Sequence, residues 1–63
     1  MSMKKELDDL KKEIDALKNN ADLVELWNEA KECLKYGNYA KCQEIINSLK
    51  ASIAKKKARG TKR

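Results

Sequence analysis

The chain contains no proline, no histidine and no phenylalanine, and only two glycines, two cysteines and three aromatic residues in 63. Without proline and with so little glycine, there is no material for the frequent turns of a small β fold. What remains suits long, uninterrupted helices. Without histidine, two thiols cannot complete a four-ligand zinc site unless carboxylates or a second chain help, so no structural metal is expected. Neither thiol has an imidazole to activate it. No apolar run approaches the ~20 residues needed to cross a bilayer, so no membrane span is expected. Without phenylalanine, the large apolar inventory is Leu, Ile, Val, Met and one Trp, which makes for a thin core.

One further absence is local. Residues 50–63 contain no acidic side chain and seven basic ones, Lys50, Lys55, Lys56, Lys57, Arg59, Lys62 and Arg63. The preceding 49 residues carry eight Lys and ten Asp or Glu, so the formal charge of +5 divides into −2 for the body and +7 for the tail. Segregated positive charge points to an anionic partner, and RNA or DNA backbones are the commonest. Such contacts would be largely sequence-independent and driven by counterion release. The alternatives are a merely solubilising terminus or an acidic protein surface. The lack of an apolar face over residues 54–63 argues against a membrane surface.

Along the body, apolar residues fall at Met3, Leu7, Leu10, Ile14, Leu17, Ala21 and Val24, spaced 4, 3, 4, 3, 4 and 3. This is the stripe of a coiled-coil seam on an otherwise charged rod. A helix this narrow on its apolar side needs a partner, supplied by the rest of the chain, a second copy or another protein. Leu7, Leu10, Ile14 and Leu17 are the candidate interface. Asn19-Asn20-Ala21-Asp22 interrupts the run, and Asp22 with Glu25 has the form of a capping box that would start a new helix; the alternative is one long helix over 3–36, kinked at this point.

Tyr36-Gly37-Asn38-Tyr39 is the strongest punctuation. Gly37 can adopt the left-handed conformation that ends a helix, and Asn38 can cap the next. Facing residues across such a turn should have numbers summing to about 75, which pairs apolar with apolar along the whole length: Cys33 with Cys42, Ala30 with Ile45, Leu26 or Trp27 with Leu49, Leu23 with Ile53. That agreement predicts an antiparallel hairpin. It also sets Cys33 opposite Cys42, a disulfide candidate if their Cα atoms approach within about 7 Å. In a cytoplasm the pair would stay reduced. Trp27 falls on the apolar face and is expected in the core, while Tyr36 and Tyr39 are expected to pack on the turn with wet hydroxyls.

The stretch from Leu26 to Leu49, with Ala30, Leu34, Tyr36-Gly37-Asn38-Tyr39 and Ile46, resembles one helical hairpin of the tetratricopeptide type. The resemblance covers under half the chain, has Cys42 where that family usually has a small Ala, and lacks both the closing Pro and a second copy. It implies a helix-turn-helix and no peptide-binding groove, because such repeats stack in threes or more.

The sequence therefore predicts an all-α, three-helix protein in one domain over residues 1–59. Its elements are a coiled-coil-like first helix at about 3–19 and an antiparallel hairpin of helices at about 22–36 and 39–59, with Gly60 ending the last helix and residues 60–63 frayed. So small a core would gain from dimerisation, and a homo-oligomer is expected. The start, Met1-Ser2-Met3-Lys4-Lys5-Glu6, shows no secretory pattern, which predicts a cytoplasmic protein. No glycine-rich phosphate loop, nucleophile elbow or ligand cluster is present, so neither an enzyme, a cofactor nor a small-molecule substrate is expected. The expected function is non-catalytic binding of RNA or DNA by the basic C-terminal helix and tail. The competing readings are an adaptor or inhibitor that grips a protein partner through the first-helix seam, and a designed helical scaffold.

Overall fold

The computed structural model describes the backbone of residues 2–61 and the side chains of residues 2–58. Three helices follow one another, α1 (Met3–Asp15), α2 (Ala21–Lys35) and α3 (Tyr39–Thr61). They run up, down and up.

Helix α1 starts where the Ser2 side chain accepts from the Lys5 backbone N–H at 3.2 Å. Its end lies four residues before the expected one. Ala16 and Leu17 donate to the Glu13 and Ile14 carbonyls, tightening the last turn. Asn19 then takes a left-handed φ of 53°, which asparagine tolerates better than most residues. The Asn20 Nδ2 donates to the Ile14 carbonyl at 2.8 Å, a second bond to an acceptor in the last turn of α1. The capping box expected from Asp22 and Glu25 does not form, because α2 begins at Ala21 with Asn20 in the cap position and no side-chain cap bond. Apolar spacing continued through Ala21 and Val24, but the turn takes Ala21 to the surface.

The second turn forms as its residues predict. Gly37 has φ 81°, its N–H bonds to the Leu34 carbonyl at 3.1 Å, and the Asn38 N–H reaches the Cys33 carbonyl at 2.8 Å. This 5→2 and 6→1 pair closes α2 as a Schellman motif. Asn38 then caps α3, its carbonyl accepting from Cys42 and its side chain from Lys41. Gly60 does not end α3; the helix continues to Thr61. A single glycine costs a helix about 1 kcal/mol without breaking its hydrogen-bond ladder.

The core consists of Leu7, Leu10 and Ile14 from α1, Leu23, Trp27 and Ala30 from α2, and Cys42, Ile45, Ile46, Leu49 and Ile53 from α3. The α2–α3 hairpin has the most extensive contact, and α1 lies in the groove it forms. The seam of α1 thus finds its partner within the chain. Trp27 fastens it: the indole Nε1 donates to the Leu7 carbonyl at 2.7 Å across twenty residues of sequence.

Candidate nucleic-acid interface

Because α1 and α3 are parallel, their side chains meet at a constant offset. Lys50 pairs with Glu6, and one heptad further on the Lys57 Nζ reaches the Glu13 Oε1 at 2.6 Å. The heptad positions explain this. With Leu7, Leu10 and Ile14 as the seam of α1, Glu6 and Glu13 flank it on one side. With Ile46, Leu49 and Ile53 as the seam of α3, Lys50 and Lys57 flank that one. Flanking positions are where adjacent helices exchange ion pairs.

Between these two lysines Lys56 turns toward the α1–α2 connection, donating to the Asn19 carbonyl at 3.1 Å and lying 3.8 Å from the Asp22 carboxylate. Asp22, read from sequence as a cap, is instead a counter-ion. Lys55 is exposed and makes no ion pair among the described residues. Arg59 lies on α3 with its side chain outside the described residues, as do Lys62 and Arg63 altogether. Three of the four tail cations whose side chains are described are therefore engaged by the body of the same molecule. All these pairs are partly solvated, with side-chain exposures of 32–69%, so each is screened by salt and individually weak.

Ile53 is the last buried position of α3 among the described residues. From residue 54 on the helix buries no apolar side chain there, yet it continues, with Lys57 in contact with α1 and Lys56 with the start of α2 and the turn before it. The result is a solvated basic helical segment at the end of the bundle where α1 stops and α2 starts.

The other candidates lie elsewhere. Leu7, Leu10 and Ile14 are covered by the hairpin, and Leu17 is half-buried in the turn after α1. The expected partner interface on this stripe is thus interior, because α2 and α3 offer it a matching groove. Cys42 is buried, Cys33 is half-buried, and both are free thiols. The Cys42 thiol is pushed up by burial, with smaller contributions from the charges of Cys33 and Glu6, so it is a poor nucleophile. Trp27 sits in the core, 9% exposed, with the ammonium groups of Lys31 and Lys11 5.0 and 5.3 Å from its ring centre, so little of the ring is open to base stacking. Tyr36 and Tyr39 are 77% and 58% exposed at the tip of the hairpin, far more solvated than expected and at the opposite end from the basic segment.

Among the described residues no group of three or more Cys, Asp or Glu could hold a metal ion, and no helix is long and apolar enough to cross a membrane. Comparison with known proteins finds no matching protein family, no similar curated protein and no similar solved structure.

The sequence reading missed the carboxylates that answer the tail, Glu6, Glu13 and Asp22. The signal for Glu6 and Glu13 was present in the heptad positions of α1 and α3, which pair only if the two helices are known to be parallel neighbours; Asp22, on α2, had no such signal.

Proposed function

We propose that this chain is a non-catalytic helical binding protein whose α3 C-terminal half and following residues contact the phosphate backbone of RNA or DNA. The observation that carries this reading is the continuation of α3 past Ile53 as a solvated basic helix that buries no apolar side chain among the described residues. A surface of this kind binds through charge and shape, so it takes unpaired strands or duplexes without reading bases. A second copy would double the number of basic segments and raise avidity through effective concentration. A cytoplasmic setting, where Cys33 and Cys42 stay reduced, belongs to the same reading. An adaptor acting through Leu7, Leu10, Ile14 and Leu17 would first have to lift α1 out of its groove, and no observation favours it.

The test is fluorescence anisotropy of labelled RNA and duplex DNA with the whole chain and with a Lys55→Gln, Lys56→Gln, Lys57→Gln, Arg59→Gln variant. On duplex DNA, between about 50 and 200 mM salt, the logarithmic slope is expected at about −4 if the engaged lysines stay with their carboxylates and about −6 if all seven cations reach phosphates. The variant should bind at least tenfold more weakly. Absence of binding by the unaltered chain at the lowest salt refutes the reading.

A further inference from the structure

Two of the cations proposed to hold phosphate, Lys50 and Lys57, already hold carboxylates, and both carboxylates come from α1 in regular order. Glu6 and Glu13 are seven residues apart on α1, Lys50 and Lys57 are seven apart on α3, and the two helices are aligned so that both pairs form at once. Burial of Leu7, Leu10 and Ile14 fixes the rotation of α1 about its axis, so the two carboxylates are presented toward α3 and not freely to solvent. Seven residues of helix span about 10 Å, so the carboxylates form a short row of anions beside the basic helix. Asp22 and the Asn19 carbonyl extend that row to Lys56 at the end of the bundle.

From this geometry we propose that α1 is a built-in competitor for the nucleic-acid site: Glu6 and Glu13 occupy Lys50 and Lys57 as phosphate mimics, and a bound strand must displace them. This inference rests on the nucleic-acid reading above and adds its regulation. Two physical consequences follow. Each exposed pair opposes phosphate by a factor of a few, so the competition sets affinity without abolishing binding. Because a carboxylate and a phosphate compete for the same ammonium, isolated anions engage Lys50 and Lys57 a few times less well than they would free lysines. A polyanion that reaches Lys55 and the later tail cations gains enough contacts to displace them, so the device favours long strands over mononucleotides and free phosphate.

The experiment compares three full-length proteins with labelled duplex DNA: the unaltered chain, Glu6→Gln with Glu13→Gln, and Asp8→Asn with Asp9→Asn. The last pair removes the same amount of negative charge from α1 at exposed positions that make no ion pair among the described residues, and so controls for net charge. Circular dichroism establishes that each protein is folded, and Glu13→Gln alone serves if the double variant is not. The Glu6/Glu13 variant is expected to bind about tenfold more tightly, a factor of a few per pair. Its salt slope is expected to steepen by between about one and two. The single variant should gain about threefold, and the Asp8/Asp9 control less than that. Equal gains for the two double variants would reduce the effect to net charge and overturn the competition, as would no gain for the Glu6/Glu13 variant. Both outcomes leave the nucleic-acid reading intact as long as the unaltered chain binds. Failure of all three proteins to bind would remove both.

Discussion

Trp27→Phe is the substitution that most directly tests how α1 is held. Trp27 is 9% exposed, and its indole N–H crosses from α2 to the Leu7 carbonyl at 2.7 Å. Phenylalanine keeps an aromatic ring but loses the donor, a net cost of about 1 kcal/mol for a bond of this kind. The smaller ring also leaves a gap where the far, six-membered portion of the indole packed, worth about 1 kcal/mol more. Weaker attraction to Lys11 and Lys31 contributes a further ~0.5 kcal/mol. The total of about 2.5 kcal/mol is a large part of the stability a core of this size supplies, and at ~4–8 °C per kcal/mol it lowers the melting temperature by about 10–20 °C. Thermal and urea unfolding followed by far-ultraviolet circular dichroism measure it, and in the unaltered chain the indole N–H should exchange slowly with solvent. A melting temperature lowered by less than about 4 °C, or an indole proton that exchanges freely, would refute the view that this bond docks α1.

Two further outcomes follow from single residues. Gly37→Ala meets no atom within 4 Å, so its cost of about 1–2 kcal/mol comes from the left-handed backbone at φ 81° alone, and urea denaturation should show a lower midpoint with an unchanged slope. The folded state holds the Cys42 thiol above its ordinary range, chiefly through burial. A raised folded value means that stability is intact below the unfolded thiol's value of about 8.5 and declines as pH rises beyond it. Urea midpoints between neutral and strongly alkaline pH should show this decline, and Cys42→Ala should remove that part of it while leaving the contribution of other groups.

Much of the fold was legible along the chain because it depends on local chemistry. The hairpin turn was readable because only a residue such as Gly37 accepts the required backbone, and the packing of α3 against α2 followed from the position of that turn. The end of α1 was less so. Apolar spacing carried the pattern past residue 15, and what stopped the helix was Asn19 in a left-handed conformation with Asn20 reaching back to Ile14, a pairing of backbone and side chain that spacing does not encode. Asp22 followed a capping pattern by type and position, yet its nearest charged partner is Lys56, thirty-four residues away.

The candidate site divides in the same way. Sequence by itself determined that the chain is helical, that its excess of positive charge is gathered at one end, and that α1 needs a partner along Leu7, Leu10 and Ile14, because periodicity and charge are properties of the order of residues. Tertiary structure alone decided that this partner is the chain's own hairpin and that α1 lies parallel to α3. It thereby decided that Lys50, Lys56 and Lys57 face acceptors within the same molecule. The physical reason is reach: an ion pair between residues forty-four positions apart depends on how two helices are set side by side, and that is fixed by the packing of their buried faces.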